Sequence, residues 1–456
     1  MSIVIVGAGP AGTRAAEVLV GAGLRPIVID EAPENGGRIY QRQPNGFHRT
    51  ARTLYGFEAH KARAIHDSFD RLRTSIDFQP RTLAWNLQPG VIDTISDGKA
   101  RTVPFAQTIL CTGAMDRVIP LPGWTLPGVF TLGGSQISLK AQGCAIGARV
   151  AFLGTGPLLY LVAYQYARAG AQVTAVLDTT PFATKAAQAF GLMRGGATFA
   201  KGLYYIGWLR THGIPIFEGV TPLAIGGDGQ VEAVSWRDAR GISHEVAVDA
   251  VALGFGLKPE AQLADLAGVP FDFDPVQHNW VPRMDPGGQT SVNGVFLAGD
   301  GCGIRGADLA EAAGARAAWA VLAARGLAVD TRAVASLDAR LAAGAAFRAA
   351  LERAFPFPAK LAAAMADDTI LCRCEVITAG ELRAAANEAL ATLPPPEVNR
   401  AKALTRIGMG RCQGRVCGAA AAEILASTLS CPVEQVGRLR GQPPVKPIPI
   451  LPAEAA

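Results

Sequence analysis

The chain has 456 residues, 49% of them apolar and 18% charged, with a formal net charge of +5. That length exceeds one compact core and implies two to four structural units. The charge is spread along the chain with no basic stripe interleaved with aromatics, which excludes a nucleic-acid footprint, and no apolar run reaches the ~18 residues of a membrane span.

Ile3 to Val6 reads as a buried strand, Ala11 to Val20 as a helix and Pro26 to Asp30 as a second strand. So early a strand leaves no room for a signal peptide. A cytoplasmic location is expected, with peripheral attachment to the inner face of the membrane left open. There, paired cysteines more often mean metal or redox chemistry than disulfides. Gly7, Gly9 and Gly12 take the G-x-G-x-x-G positions, with Pro10 and Ala11 opening the helix. The first glycine permits a tight turn, the second lets a pyrophosphate approach the backbone, and the third lets helix and strand pack closely. The helix N-terminus then offers unpaired N–H groups to phosphates. Asp30 ends the next strand, where a carboxylate can bind ribose hydroxyls, and Glu31 is a substitute.

Residues 35–85 read as polar and irregular, with basic segments around Arg38, Arg42 and Arg49. Gln107 to Gly113 is a further strand ending in a glycine turn. A second strand–GxGP–helix–strand unit opens near residue 149. Here Gly154, Gly156 and Pro157 begin the fingerprint, but Leu159 stands where the third glycine belongs. Asp178 ends the following strand and would suit an unphosphorylated ribose. NADH use at this site and a retained scaffold without ligand are the two readings. No C-x-x-C lies beside either unit, so disulfide reduction is not expected. Strands are expected at Val231–Trp236, Glu245–Val248 and Ala250–Leu253, then GVFLAGDG at 294–301 and an alanine-rich helix from Leu309 to Ala324. The fold class is therefore α/β, with two dinucleotide-binding domains, the second inserted in the first. The expected boundaries are 1–120 with 268–330 for the first domain and 121–267 for the second. A helical linker follows over 331–365, ending at a hinge near FPFP. Residues 366–456 form a small helical module, with a stiff loop at Pro394–Pro396 and an extended tail, PPVKPIPILP.

That module carries Cys372 and Cys374 as C-x-C, and Cys412 and Cys417 as C-x4-C. Soft thiolates match iron, and four of them suit a [2Fe–2S] centre. Structural zinc also takes four thiolates, although zinc ribbons usually repeat C-x2–4-C, which this spacing does not. Glu375 is placed to cap the following helix. Gly408, Gly410 and Gly418 free backbone N–H groups for the sulfurs, and Arg406, Arg411 and Arg415 are placed to offset an anionic cluster. Cys111, Cys144, Cys302 and Cys431 read as packing residues. The six histidines are scattered and suggest no catalytic base. The aromatic run Phe199–Lys201–Tyr204–Tyr205–Trp208 has helical spacing and reads as core or interface.

Three further features resemble flavoproteins with two dinucleotide domains of the glutathione-reductase type: Gly36–Gly37–Arg38, Cys111–Thr112–Gly113 and Leu297–Ala298–Gly299–Asp300. That resemblance favours FAD in the first site. It implies contact with Asp300 through the ribityl or pyrophosphate portion, and it adds Gly37, Arg38, Thr112, Gly113 and Gly299 to the cofactor residues. Related multi-subunit oxidases sometimes hold a different adenine nucleotide there. The whole chain resembles the larger, FAD-binding subunit of the opine oxidases, and the corresponding subunits of hydrogen cyanide synthase and bacterial hydroxyproline or proline dehydrogenases. The segments that carry it are GAGPAG, DEAPENGGRIYQR, LPGWTLPGVFTLGGSQ, FLGTGPLLYLVAYQ, FLAGDGCGIRGA and TRIGMGRCQGRVCG. The last module looks like the bacterioferritin-associated-ferredoxin type of [2Fe–2S] domain. The resemblance implies a heteromeric dye- or quinone-linked dehydrogenase acting on CH–NH or CH–NH2 groups. A partner of the D-amino-acid-oxidase type would oxidise the substrate, and this chain would carry electrons onward. Some relatives place an FMN between the two subunits and add a small ferredoxin-like third chain. The alternative is a stand-alone NADH-dependent reductase.

Overall fold

The computed structural model describes residues 2–390 and 396–449. The strand Ile3–Val6 is apolar throughout and fully buried, as a central parallel strand covered on both faces must be. It lies inside a five-stranded parallel sheet, in the order 295–297, 107–110, 3–6, 27–29, 77–79. A second five-stranded parallel sheet runs in the order 216–218, 172–178, 149–155, 250–255, 129–131. Each sheet has a three-stranded antiparallel companion, at 82–104 and at 221–247. The strand Val295–Leu297 returns to the first sheet after the whole second sheet has been laid down. The two chain crossings between the sheets, Ala114–Asp116 and Leu257–Pro259, pair antiparallel with each other.

Small residues bring the first helix, Pro10–Gly21, hard against the helix Ala307–Ala324. A Cβ added at Gly314 would lie 2.0 Å from the Ala11 carbonyl oxygen. Ala11, Ala15 and Ala16 meet Ala310, Ala313 and Ala317 in one buried cluster. Close approach of this kind needs side chains no larger than a methyl group at the crossing.

Three sequence expectations change. Residues 35–85 are not irregular: they hold the helices Ala51–Tyr55 and Ala59–Leu72 and the strands Asp77–Gln79 and Thr82–Gln88. In the longer helix Ala62, Ile65 and Phe69 recur at helical spacing and are buried beneath a strongly polar outer face, which masks the period. The FPFP segment is a packed joint, not a free hinge. The helix Thr331–Ala354 stops before it, and Phe357 is buried with Ile119, Phe255 and the core of the last module. The Arg117 guanidinium sits 4.8 Å from the Phe357 ring centre. Glu375 caps no helix. The helix Ala379–Ala385 is opened by a reciprocal capping box between Thr378 and Glu381, and Glu375 accepts from Arg406 Nε at 2.9 Å.

The aromatic helix Ala197–Thr211 buries Tyr205 and Leu209 and sets Tyr204 edge-on to Phe57 of the first unit. The tail lies against the first unit: Val445 is buried there and its N–H donates to the Trp85 carbonyl at 3.1 Å. Pro394 and Pro395 of the stiff loop, and the tail beyond residue 449, lie outside the described residues.

Candidate functional site

The first glycine loop is built by backbone contacts that admit no side chain. Gly7 has φ +106°, and a Cβ there would lie 2.3 Å from the Cys111 carbonyl oxygen. A Cβ at Gly12 would lie 1.8 Å from the Gly7 carbonyl oxygen, which locks helix to loop. Gly9 differs: its nearest neighbour would be the Gly37 Cα at 3.5 Å, an ordinary contact. Nothing in the protein itself therefore demands glycine at position 9, and the requirement comes from whatever approaches its outer side. Gly36 and Gly37, both at positive φ, close the cradle from the other side.

Asp30 stands at the strand end with Oδ2 accepting from Ala8 N–H at 2.6 Å and Oδ1 from Ala32 N–H at 2.7 Å. Burial pushes its pKa up against these two donors. A carboxylate has about four acceptor positions, so lone pairs remain for ribose hydroxyls. Glu31 is less available, being bound by Arg38 and Lys446 at 2.6 Å each. Burial raises its pKa, but these cations outweigh it and hold it below the usual carboxylate range. Asp300 Oδ1 accepts from the N–H groups of Arg305 and Gly306 at 2.8 and 2.9 Å. Its Oδ2 carries no hydrogen bond among the described residues. Thr112 Oγ1 donates to the Glu260 carbonyl at 2.5 Å. Gly113 follows at φ +75°, and Gly299 abuts Ala11 of the first helix. Gly299, next to Asp300 in the chain, thus packs on the helix that Gly9 opens.

The second fingerprint is closed. Asp178 is 0% exposed. Its Oδ2 accepts from Tyr160 OH at 2.6 Å and Lys185 Nζ at 2.8 Å, and its Oδ1 from Thr180 N–H at 2.8 Å. Lys185 also binds Glu218 and lies 5.6 Å from the Phe355 ring centre. The carboxylate read as a ribose ligand is thus fully buried and engaged by three donors of its own protein. Leu159 is fully buried in the core beside Tyr160. Asp178 is therefore not free to receive ribose hydroxyls, while a Cβ at Gly156 of the same unit would meet nothing within 4 Å. Nothing local in the chain signals the closure, because Lys185 and Glu218 lie well beyond the fingerprint.

The four module cysteines lie close enough to act on one another's ionisation, most strongly Cys372 with Cys417 and Cys374 with Cys412. The neighbouring Cys417 thiol brings Cys372 down to about 6 against the effect of burial, with help from the backbone N–H groups of Gly408, Glu375 and Cys374. Cys417 is pushed up correspondingly. The loops meet through glycine: a Cβ at Gly410 would lie 2.3 Å from the Cys374 Cβ. Non-glycine residues at positive φ gather here, with Val376 at +57°, Arg406 at +66° and Gln413 at +49°. For a β-branched residue such as Val376 this is strained. Among the described residues no three His, Cys, Asp or Glu side chains are gathered as a site for one metal ion. Lys258, whose ammonium is held below the usual lysine value by burial, lies within electrostatic range of Cys412 and Cys417. The module is seated on the rest of the chain by Trp124 Nε1 to the Ile370 carbonyl at 2.6 Å and Gln262 Nε2 to the Gln413 carbonyl at 2.9 Å. Arg415 reaches Glu260 at 3.5 Å. Of the remaining cysteines Cys111 and Cys302 are buried, whereas Cys144 is exposed, so packing does not account for it.

A profile of the pyridine nucleotide-disulphide oxidoreductases matches residues 1–317. The chain belongs to that family. Membership makes it a flavin-dependent oxidoreductase and supports FAD as its cofactor. The chain is 35% identical to the A-type subunit of opine oxidase from Agrobacterium tumefaciens (strain Ach5), over 98% of this chain and 90% of the relative. It is 31% identical to hydrogen cyanide synthase subunit HcnB of Pseudomonas aeruginosa, over 98% of this chain and 97% of the relative. Among solved structures it is similar in fold to L-proline dehydrogenase from P. horikoshii, with TM-score 0.73 and 17% identity over 98% of this chain and 78% of that one. T. acidophilum thioredoxin reductase aligns with TM-score 0.52 and 20% identity over 71% of this chain and 98% of that one. No helix among the described residues is long and apolar enough to cross a membrane.

Proposed function

We propose that this chain is the electron-transferring flavoprotein subunit of a heteromeric dehydrogenase of amino or imino acids, of the opine, hydroxyproline/proline or glycine class. It would hold FAD in the first site and a [2Fe–2S] cluster on Cys372, Cys374, Cys412 and Cys417. What supports the reading is the glycine loop at Gly7, Gly9 and Gly12, the Asp178 carboxylate engaged by its own protein, and the convergence of four thiols in the last module. Two pairs of thiols suit two irons better than one tetrahedral zinc. The relatives are themselves subunits, which supports a partner that performs the substrate oxidation, of the D-amino-acid-oxidase type. An FMN at the subunit interface and a small ferredoxin-like third chain belong to the same reading, as does a cytoplasmic location.

The flavin supplies the conversion of electron pairs into single electrons, and the cluster supplies a one-electron exit. The chain's own residues do the rest. Gly9 and the start of the first helix receive the pyrophosphate, while Asp30 and Asp300 hold hydroxyls. Lys258 and Arg415 place positive charge beside the thiolates, which favours the reduced, more anionic cluster. The occupied Asp178 disfavours the reading as a stand-alone NADH-dependent reductase.

The test is anaerobic mixing of the full chain with NADH, and separately with its co-purified partner and an amino-acid substrate. The expected result is no flavin bleaching by NADH and full bleaching with partner and substrate. Rapid bleaching of the isolated chain by NADH would overturn the proposal.

A further inference from the structure

The chain crossing Leu257–Pro259 pairs with Ala114–Asp116, the strand that directly follows the Cys111–Thr112–Gly113 loop. Glu260 comes next, and both of its backbone polar groups are committed to that loop. Its N–H donates to the Gly113 carbonyl at 2.9 Å, and its carbonyl accepts from Thr112 Oγ1 at 2.5 Å. Thr112 Oγ1 in turn borders Gly301, next to Asp300, where an added Cβ would lie 2.7 Å from it. The Glu260 side chain is bonded to the last module instead. Its carboxylate meets Arg415 Nη1 at 3.5 Å, and the Arg415 and Glu260 side chains are only 15% and 14% exposed. Arg415 then closes on the cysteine loop: its backbone N–H and its Nε both donate to the Cys412 carbonyl, at 3.0 and 3.1 Å.

One residue therefore grips both loops. The route Thr112–Glu260–Arg415–Cys412 crosses no gap wider than 3.5 Å. Electrons tunnel between redox groups, and the rate falls steeply as the gap between them widens. Residues outside a ligand set fix the orientation of those inside it, and a site is only as precise as the side chains that support it. A mostly buried ion pair suits that task better than it suits stabilisation, because desolvation offsets much of its Coulomb gain.

We propose that Glu260 is a positioning residue for one-electron transfer from flavin to cluster, holding the Thr112–Gly113 loop and the Cys412–Cys417 loop at a fixed separation. The inference rests on the FAD and cluster assignments proposed above. The step moves one electron from the reduced flavin to the oxidised cluster, and no bond is made or broken. The test is pulse radiolysis of the full chain carrying FAD and iron, in which one electron is placed on the flavin and its arrival at the cluster is followed by visible absorption. That first-order rate counts only chains that hold both groups. Glu260→Ala should slow it about tenfold. Glu260→Gln, whose amide oxygen can still accept from Arg415, should give a rate between that variant and the wild type. Removing a negative charge beside the cysteine loop favours a more anionic, reduced cluster, so charge alone would speed the transfer and a slower rate isolates positioning. Asp238→Asn, which removes an ion pair in the second unit, should leave the rate unchanged. If Glu260→Ala fails to fold, Glu260→Gln carries the test, with a rate below the wild type expected. An equal or faster rate in the Glu260 variant, or the same slowing by Asp238→Asn, would overturn the proposal and leave the FAD and cluster assignments standing. A wild-type chain without iron or without FAD would overturn those assignments and this proposal with them.

Discussion

Replacing Lys185 by Met tests whether the second fingerprint is held shut by charge. Lys185 is the cation shared by Asp178 and Glu218, and its side chain is only 11% exposed. Removing it leaves Asp178 fully buried with Tyr160 OH and the Thr180 N–H as its remaining donors. Breaking a buried pair from one side costs about 3–5 kcal/mol, because an uncompensated charge stays behind. The two surviving donors place the expectation near ~3 kcal/mol on the same basis. The double variant Lys185→Met/Asp178→Asn removes both charges and should recover at least half of that loss, a coupling that a double-mutant cycle measures. Urea unfolding followed by tryptophan fluorescence is the assay, with Trp236 buried in the same unit as a reporter. A cost below ~1 kcal/mol for the single variant, the range of exposed pairs, would refute the argument. A double variant no better than the single one would refute it equally.

Gly9→Ala should fold normally yet retain less FAD, because its Cβ meets only an ordinary contact in the protein. Gly12→Ala should destabilise the whole unit, because its Cβ would lie 1.8 Å from a carbonyl oxygen. FAD content and thermal melting separate the two, and identical behaviour would contradict the geometry. Cys412→Ser should abolish bound iron and the visible cluster absorption while leaving FAD in place, and unchanged iron content would sink the ligand assignment. Lys140 is buried, with its ammonium held at about 7 by desolvation and donating to the Ile39 carbonyl at 3.1 Å. The folded value lies below the unfolded one, so the unfolded chain binds the extra proton between pH ~7 and ~10.4. Stability should therefore rise with pH through that window by up to ~1.4 kcal/mol per unit. Lys140→Met should lose the slope, and parallel pH profiles for the two proteins would argue against it.

The parts of this molecule that are readable from sequence are those fixed by neighbours in the chain. The first glycine loop, its strand and its acidic end lie within thirty residues, and Gly12 answers a steric demand set by Gly7 only five residues before it. The helix Ala59–Leu72 is hard to read because three buried apolar residues are diluted by charged ones on the outer face. Asp178 is legible as a strand-end acid, but not as a buried and engaged one, since Tyr160 and Lys185 meet it only through the tertiary fold. The cysteine spacing is plain in sequence, whereas the pairing of Cys372 with Cys417 and Cys374 with Cys412 requires the fold.

The return of Val295–Leu297 to the sheet begun by Ile3–Val6 imposes an order in time. During synthesis the second sheet, whose strands lie between residues 129 and 255, is complete while the first still lacks an edge. The ribosome must pass residue 300 before Asp300 can reach the glycine loop. The cleft for the dinucleotide, first to be announced in the sequence, is thus finished only after the inserted unit has emerged. Until then the apolar flank of Gln107–Leu110 stays open to solvent or to chaperones.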